Sequence, residues 1–147
     1  MIIREYSEND TEEITLLMKH LCELKNQEFD EIRWRRSLEN QMKQNSNSEV
    51  FVAIDDDADT VVGMAYCSVR TGEDGIRFGY ISNLIVKEEK RRIGIGEELM
   101  KYIIEFFKGN HIKALRLALK PNSEKIAKLL FTKLGFQEKL RIYELVI

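Results

Sequence analysis

Two hydrophobic periods alternate along the chain and divide it into ten predicted elements. Short apolar runs rich in β-branched residues, and runs with apolar residues at every second position, predict strands, whereas apolar residues three or four positions apart predict helices. The strand-like runs span residues 2–6, 50–54, 61–69, 80–86, 112–119 and 136–147. The helix-like runs span residues 11–24, 29–44, 95–106 and 122–135. The resulting order, βααβββαβαβ, predicts a mixed α/β fold.

An acidic turn separates the second and third predicted strands. Residues 55–60 read DDDADT, and aspartates suit turns because their side chains bond nearby backbone amides. A divalent-ion site is the alternative interpretation, but the run lacks the later Gly and Glu of a calcium loop. The turn is therefore favoured, and no metal site is expected.

A glycine-rich turn joins the fourth predicted strand to the third predicted helix. Residues 91–96 read RRIGIG, so side chains are missing at alternate positions where the helix begins. Bare amides and the helix dipole at such a place can bind an anion such as a pyrophosphate, and Arg91 and Arg92 add positive charge. A tight turn with two solvated arginines explains the same sequence. This motif alone therefore does not decide between an anion-binding loop and a simple turn.

Two sequence blocks together carry a family resemblance. The first, a strand followed by R-x-x-G-x-G and an amphipathic helix, resembles the acetyl-CoA pyrophosphate loop of the GNAT superfamily of N-acetyltransferases. The second, AKLLFTKLGF at 127–136, is similar to the late helix of that family, which ends in Leu-Gly-Phe. The blocks stand in the family's order, and the resemblance covers essentially the whole chain.

The resemblance implies a fold and a cofactor. It implies one domain over residues 1–147, with a mixed, mostly antiparallel sheet that splays apart after the central strand and is flanked by about four helices. The pantetheine arm of acetyl-CoA is expected in the gap, paired with the backbone of Leu84, Ile85 and Val86 as a neighbouring strand would be. The remaining cofactor contacts are expected from Arg91, Arg92, Ile93, Gly94, Ile95, Gly96, Glu97 and Asn122.

The implied chemistry is direct transfer of the acetyl group to a primary amine. An alkylamine has a pKa near ~10.4, so a base or a water chain must take its proton. Many family members carry a glutamate on the central strand for this role. Here Tyr80 and Ser82 occupy the corresponding places and are candidates to hold the water, with Glu28, Glu31 and Glu73 as more distant bases.

Two further catalytic roles follow from the resemblance. The backbone near Leu84 and Ile85 is expected to donate to the oxyanion of the tetrahedral intermediate. The family's tyrosine acid corresponds to Phe131, which cannot protonate the departing thiolate. A thiol with a pKa near ~8.5 can leave without a dedicated acid if water reaches it.

The acceptor site of the family lies along its early helices, where Phe29, Glu31 and Trp34 are candidates for contacts with a small-molecule or peptide amine. The alternative interpretation is that the two aromatic side chains pack in the core and that the acidic side chain is solvated. The missing glutamate and tyrosine also motivate an alternative function. In that alternative, the protein is an acyl-CoA-binding regulatory module with little or no transferase activity.

Composition and charge limit the classes of molecule that are expected to bind the protein. The net charge is −2, and the charged residues, 33% of the chain, are interspersed in sign, which argues against nucleic acid as a partner. The first ten residues lack the apolar core of a secretory signal, and no apolar run reaches ~18 residues, so a cytoplasmic protein without a membrane partner is expected.

The cysteines and histidines do not indicate a metal site or a nucleophile. Cys22 and Cys67 lack metal-ligand spacing, and His20 and His111 stand singly in separate elements. Cys67 is expected to be a small core residue rather than a nucleophile, because no base is placed near it by a local pattern. The last predicted strand could pair across a homodimer.

Overall fold

The structure, a computed structural model, describes residues 1–41, 43, 47–90, 93–119 and 125–147. Its strands are β1 (Ile2–Glu5), β2 (Ser48–Asp55), β3 (Thr60–Thr71), β4 (Arg77–Val86) and β5 (Leu115–Leu117). Its α-helices are α1 (Thr11–Leu24), α2 (Glu31–Gln41), α3 (Ile95–Gly109) and α4 (Lys125–Lys133). Short 3-10 helices at Glu8–Asp10 and Glu88–Lys90 precede α1 and α3.

The five strands form one sheet in the order of the sequence. β1, β2, β3 and β4 pair antiparallel with their neighbours, whereas β5 joins β4 in parallel. The parallel pair needs a crossover, and α3 provides it. The fold is therefore a single α/β domain with a mixed sheet and four helices, as the sequence predicts.

Alternating strand residues supply two hydrophobic layers, one on each face of the sheet. On one face, Ile14 and Leu17 of α1 and Trp34 and Leu38 of α2 pack against β2 and β3. On the other face, Leu99, Ile103 and Phe107 of α3 and Phe131 of α4 pack against the same strands and β4. The strands are covered on both faces, which explains why their sequences are nearly continuous apolar runs.

The hairpin between β2 and β3 confirms the predicted turn. The backbone N–H groups of Asp57 and Asp59 donate to the side chain and the carbonyl of Asp55 at 3.0 and 2.8 Å. Lys90 also lies 3.4 Å from the Asp55 carboxylate. Asp59 has a left-handed φ of 50°, which Asp tolerates better than most residues. These aspartates organise a turn.

The predicted strand at 136–147 is wrong. Residues 137–147 have no regular secondary structure and are exposed throughout. The predicted strand at 112–119 is shortened to the three residues of β5. Both differences have one physical reason: a strand is stable only where a neighbour takes up its backbone hydrogen bonds, and within the described residues no strand pairs with the outer edge of β5.

Within the described ranges, no helix combines the length and the apolar content needed to cross a bilayer.

Candidate functional site

The parallel pairing of β4 with β5 stops halfway along β4. The paired residues are Gly79 with Leu115, Tyr80 with Arg116 and Ile81 with Leu117. β4 itself continues for five more residues, to Val86, and stays paired with β3 on its other side. The two strands therefore separate after Ile81, which confirms the predicted splay of the sheet.

A β-bulge lies at the point of separation. Tyr66 of β3 pairs with Asn83, whereas the next residue, Cys67, pairs with Ile81, so Ser82 has no residue opposite it. The exposed Ser82 hydroxyl lies 3.2 Å from the Tyr66 carbonyl oxygen, to which it donates. Bulges bend a strand and re-aim its groups, and they are frequent beside active sites. The bulge places Ser82 at the mouth of the gap.

The N-terminus of α3 follows the end of β4. Gly94 caps the helix with a left-handed φ of 90°, and its carbonyl accepts from the Glu98 N–H at 3.0 Å. The amides of Ile95, Gly96 and Glu97 precede the first intrahelical bond, as at the start of any helix. Among the described residues, none accepts a hydrogen bond from them. Helix-terminal amides without an acceptor among the described residues thus lie where the sequence predicts an anion site, and the binding of an anion there stays a prediction.

The Glu97 side chain connects the start of α3 with the end of α4. Its carboxylate lies 2.8 Å from Lys133 Nζ and 3.5 Å from Lys101 Nζ. The hydrogen bond from Lys133 is the main cause that holds the pKa of Glu97 below its usual range. The negative charge beside the helix N-terminus is therefore largely neutralised.

An open cavity of about 440 Å³ lies between α1 and the end of β4. Its apolar surface is supplied by Leu16, Leu17, Ile85 and Val86. The charged and polar residues around it are Glu13, His20, Lys87, Glu88 and Glu89. Ile85 is 4% exposed, so any oxyanion contact made there must come from its backbone. The cavity opens next to the segment that leads from β4 to α3.

Tyr80 lies on β4, two residues before the bulge. The Arg70 guanidinium carbon stands 3.8 Å from the centroid of the Tyr80 ring, within the range of a cation–π contact. Tyr80 pairs with Ser68 of β3 and with Arg116 of β5. Tyr80 and Ser82 are therefore close along the strand and flank the separation of β4 from β5.

The three predicted acceptor residues do not come together as one polar site. Trp34 is 7% exposed, its ring centroid lies 5.8 Å from that of Tyr66, and its indole N–H donates to the Thr15 hydroxyl at 3.1 Å. Phe29 is half-buried against the same core layer. The exposed Glu31 accepts a bond of 3.2 Å from Arg35. Trp34 and Phe29 have clear packing roles, and their assignment to acceptor binding stays a prediction.

The other predicted site residues differ in exposure, and three of them are not described. Arg91, Arg92 and Asn122 lie outside the described residues. Ile93 is 69% exposed and Ile95 is 6% exposed, so only the former presents its side chain outward. Leu84 is half-buried in the layer below α3. Glu28 and Glu73 are exposed in loops.

Phe131 and Cys67 are both core residues. The Phe131 ring packs edge-on against Phe136, with 5.7 Å between ring centroids. Burial is the main cause that raises the pKa of the Cys67 thiol to about 12, so the thiol is neutral at physiological pH and is a poor nucleophile. This confirms the packing role predicted for Cys67. Among the described residues, no group of three His, Cys, Asp or Glu side chains is arranged to hold a metal.

Several contacts at the site, and the bulge at Ser82, could not be predicted from the sequence. Arg70 meets Tyr80 only through the pairing of β3 with β4, and Lys133 meets Glu97 only because α4 packs beside α3. Glu13 and His20 of α1 reach the end of β4 across more than 60 residues of sequence. The bulge at Ser82 depends on the register of two strands, which no local pattern specified.

Comparison with families of known proteins matches residues 15–136 to the acetyltransferase (GNAT) family. Comparison with curated proteins found no match. Among solved structures, a probable acetyltransferase superposes with a TM-score of 0.84 at 19% identity, over 100% of this chain and 98% of that one. A possible acetyltransferase from Clostridium difficile 630 gives 0.80 at 22% identity, over 99% and 97% of the two chains. A Trypanosoma brucei acetyltransferase gives 0.76 at 19% identity, over 99% of each chain. At these identities the structural likeness shows the fold.

Proposed function

The chain belongs to the acetyltransferase (GNAT) family, and on that premise we propose that it transfers an acetyl group from acetyl-CoA to a primary amine by direct attack. Family membership supports acyl transfer in general. The amine acceptor and the acetyl donor are the proposed part. The acceptor is a small molecule or a peptide, and the sequence prediction of a cytoplasmic enzyme is part of the proposal.

The separation of β4 from β5 after Ile81 and Leu117 is the observation that carries the proposal. It leaves a strand edge at residues 82–85 that no strand of the described residues covers, and the chain leads on from there to α3. Pantetheine contains two amide groups in an extended chain, and an extended chain with amides can pair with a strand edge by β-augmentation. In acetyl-CoA the thioester, the pantetheine amides and the pyrophosphate follow one another along one chain, and the strand edge and the helix N-terminus follow one another in the protein.

The start of α3 suits the pyrophosphate. Its amides are unsatisfied among the described residues, Gly94 and Gly96 have no side chains to block approach, and Lys133 neutralises Glu97. A helix N-terminus with these properties stabilises negative charge. The pyrophosphate would then hold the thioester at a fixed distance along β4, beside the bulge.

The transfer step needs a proton acceptor and an oxyanion donor. The neutral amine nitrogen attacks the thioester carbonyl, the carbon–sulfur bond breaks, and the electron pair leaves on the sulfur of coenzyme A. The amine's proton passes to water held near Tyr80 and Ser82, and the thiolate takes a proton from water. A backbone N–H near Leu84 or Ile85 is proposed to stabilise the oxyanion.

A panel assay tests this proposal and separates it from the acyl-CoA-binding module. Release of free thiol from acetyl-CoA is measured with polyamines, amino acids, aminoglycosides and peptides as acceptors, next to a sample without acceptor. Thiol release that depends on one class of amine supports the transferase. Tight binding of coenzyme A by calorimetry without amine-dependent thiol release would favour the binding module.

A further inference from the structure

The helices α1 and α2 leave part of their face of the sheet uncovered. The hydrophobic layer beneath them includes Met64 and Tyr66 of β3 and Ile85 of β4. Within the described residues, the layer takes in nothing of β3 after Tyr66 and nothing of β4 before Ile85. Phe78 and Tyr80 lie in the uncovered stretch of β4, and both are half-buried without belonging to either core layer.

The glycine between these two aromatic residues shows which way their rings point. A Cβ at Gly79 would lie 3.3 Å from the Phe107 ring of α3, so position 79 faces α3. Successive residues of a strand point to opposite faces of the sheet. Phe78 and Tyr80 therefore point to the face on which α1 and α2 lie.

Two guanidinium groups lie on these rings. Arg70, which is opposite Phe78 on β3, has its guanidinium carbon 3.8 Å from the centroid of the Tyr80 ring. Arg116, which is beside Tyr80 on β5, has its guanidinium carbon 4.0 Å from the centroid of the Phe78 ring. Both are cation–π distances, so each ring holds one guanidinium at the surface of the sheet. The four residues Arg70, Phe78, Tyr80 and Arg116 form what we call the arginine patch.

The charges of the arginine patch have no acidic partner among the described residues. Within those ranges, no carboxylate oxygen lies within 4.0 Å of a guanidinium nitrogen of Arg70 or Arg116. Arg70 Nε donates to the Ser68 hydroxyl at 3.3 Å. Arg4 and Arg35, in contrast, each bind a carboxylate, at 2.7 and 2.9 Å. The patch therefore presents two exposed guanidinium groups, whose planar forks of donors match the geometry of a carboxylate.

The arginine patch lies next to the proposed acetyl-transfer site. Ser82, at the mouth of the gap, is two residues after Tyr80 and four after Phe78, which corresponds to ~7 and ~13 Å along an extended strand. A buried layer under α3 and α4 fills the opposite face of the sheet, so the uncovered face leaves room for an acceptor. An acceptor that extends from Ser82 to the arginines carries its anionic group ~7–13 Å from its amine.

We propose that the arginine patch binds a carboxylate of the acceptor, and that the preferred acceptor is an amino acid or short peptide whose carboxylate lies several bonds from the reacting amine. This inference rests on the proposed acetyl transfer and narrows its acceptor from any primary amine to one with a negative charge. The arginines hold the carboxylate, and the length of the acceptor brings its neutral amine to the thioester beside Ser82. A polyamine, which carries only positive charge, is repelled by the two guanidinium groups.

Pairs of acceptors that differ only in one charge test the proposal. Triglycine and triglycinamide share an N-terminal amine, and extended triglycine carries its carboxylate ~10 Å from that amine. Nα-acetyllysine and its amide form a second pair, with a side-chain amine. The unmodified protein is expected to acetylate each acid with a kcat/KM about tenfold or more above that of its amide. A ratio near one overturns the proposal.

Variants of the arginines locate the preference. Arg70→Gln combined with Arg116→Gln is expected to bring the ratio of acid to amide close to one, whereas Arg70→Lys with Arg116→Lys keeps both charges and should keep part of the ratio. Arg77→Gln is the matched control, because Arg77 is exposed on the same strand but points to the opposite face. An unaltered ratio in the double glutamine variant, or an equal loss in Arg77→Gln, overturns the proposal.

A binding measurement without chemistry separates this inference from the proposed function. Acetyl-triglycine has no free amine, so it can bind to the patch but cannot be acetylated. At millimolar concentration it is expected to shift the Nε–Hε NMR signals of Arg70 and Arg116 in the ¹⁵N-labelled protein, but not that of Arg77. Acetyl-triglycinamide is expected to shift none of the three.

The outcomes of the two measurements are distinct. Shifts of both arginine signals in a protein that acetylates no amine would support the carboxylate site and contradict acetyl transfer. Acetyl transfer without these shifts would overturn the carboxylate site alone. Inorganic phosphate that shifts the same signals at a lower concentration than acetyl-triglycine would assign the patch to a phosphate group and overturn its assignment to a carboxylate.

Discussion

Ile81 and Leu117 form the last pair between β4 and β5, and among the described residues no strand pairs with residues 82–85 of β4 on that side. The position of this last pair decides where the proposed thioester site can lie. Two residues earlier, Gly79 pairs with Leu115 at a very close approach. A Cβ at Gly79 would lie 2.5 Å from Leu115 Cδ2 and 3.3 Å from the Phe107 ring.

The substitution Gly79→Ala is expected to destabilise the fold by about 1–3 kcal/mol, because the added methyl overpacks the contact between β4, β5 and α3. Urea denaturation measures the change in the free energy of unfolding. Gly109→Ala is the matched control, since its Cβ would meet nothing within 4 Å and its φ is not left-handed. Equal stability of the two variants would contradict the close packing at Gly79.

The substitution Gly96→Leu is expected to weaken coenzyme A binding about tenfold or more while the fold is retained. Its Cβ would meet only Val86 Cγ2, at 3.9 Å, but a longer side chain would obstruct the phosphates and cost about one charge-assisted hydrogen bond. Calorimetry with coenzyme A measures the affinity. Gly109→Leu, at the other end of α3, is the control and should bind normally. Unchanged affinity in Gly96→Leu counts against the loop assignment.

The substitution Lys133→Gln is expected to lower the affinity for coenzyme A about two- to fivefold at low salt, with a smaller effect at high salt. The physical reason is that Glu97, without Lys133 at 2.8 Å, repels the phosphates. Lys128→Gln on the same helix is the control for a general loss of positive charge. Adding Glu97→Gln to Lys133→Gln should restore affinity, and a double variant as weak as the single one would show that neutralisation of Glu97 is not the cause.

The substitution Tyr80→Phe keeps the ring against Arg70 and removes only the hydroxyl. If that hydroxyl holds the water that takes the amine's proton, kcat is expected to fall about tenfold or more, with little change in KM for acetyl-CoA. Steady-state thiol release with the preferred amine measures both constants. Tyr102→Phe on α3 is the control. An unaltered kcat in Tyr80→Phe would remove Tyr80 from the catalytic assignment.

The substitution Asp10→Asn is expected to lower the free energy of unfolding by about 1–2 kcal/mol at pH 7. Arg4 donates two hydrogen bonds to this buried carboxylate, at 2.7 and 3.0 Å, and the Ser7 N–H donates a third at 2.9 Å. Burial alone would raise the pKa of Asp10, but these bonds outweigh it and hold the pKa below its usual range.

The pH dependence follows from the sign of that shift. A lowered pKa in the folded state contributes stability above the ordinary pKa of 3.8, and this stability is lost as the pH falls through the folded value. The difference between the unmodified chain and Asp10→Asn should therefore shrink below about pH 4. Glu12→Gln, which removes an exposed partner of Arg35, is the control and should have a much smaller effect. A difference that is constant from pH 7 to pH 3 would contradict the ionic role of Asp10.

The elements with a strong internal period were predictable from the sequence. The apolar faces of α1 and α3, the two strands of the acidic hairpin and the strand before the glycine loop are all present close to their predicted bounds. Their hydrophobic patterns are made by residues that lie close together in the sequence, so local sequence is sufficient to predict them. The resemblance in the glycine loop and in the Leu-Gly-Phe block identified the family for the same reason, since both motifs are contiguous.

The last strand and the catalytic surroundings depended on tertiary structure. Residues 136–147 have the pattern of a strand, but a pattern cannot supply the neighbouring edge that takes up the backbone hydrogen bonds. The bulge at Ser82, the contact of Arg70 with Tyr80 and the pairing of Lys133 with Glu97 each join residues from separate elements, so the register of β3 on β4 and the packing of α4 decide them. The sequence by itself determined the periodic elements and the family, because the patterns that carry them are local. The folded chain alone decided where β4 leaves β5, because that point depends on the pairing of two strands that are distant in the sequence.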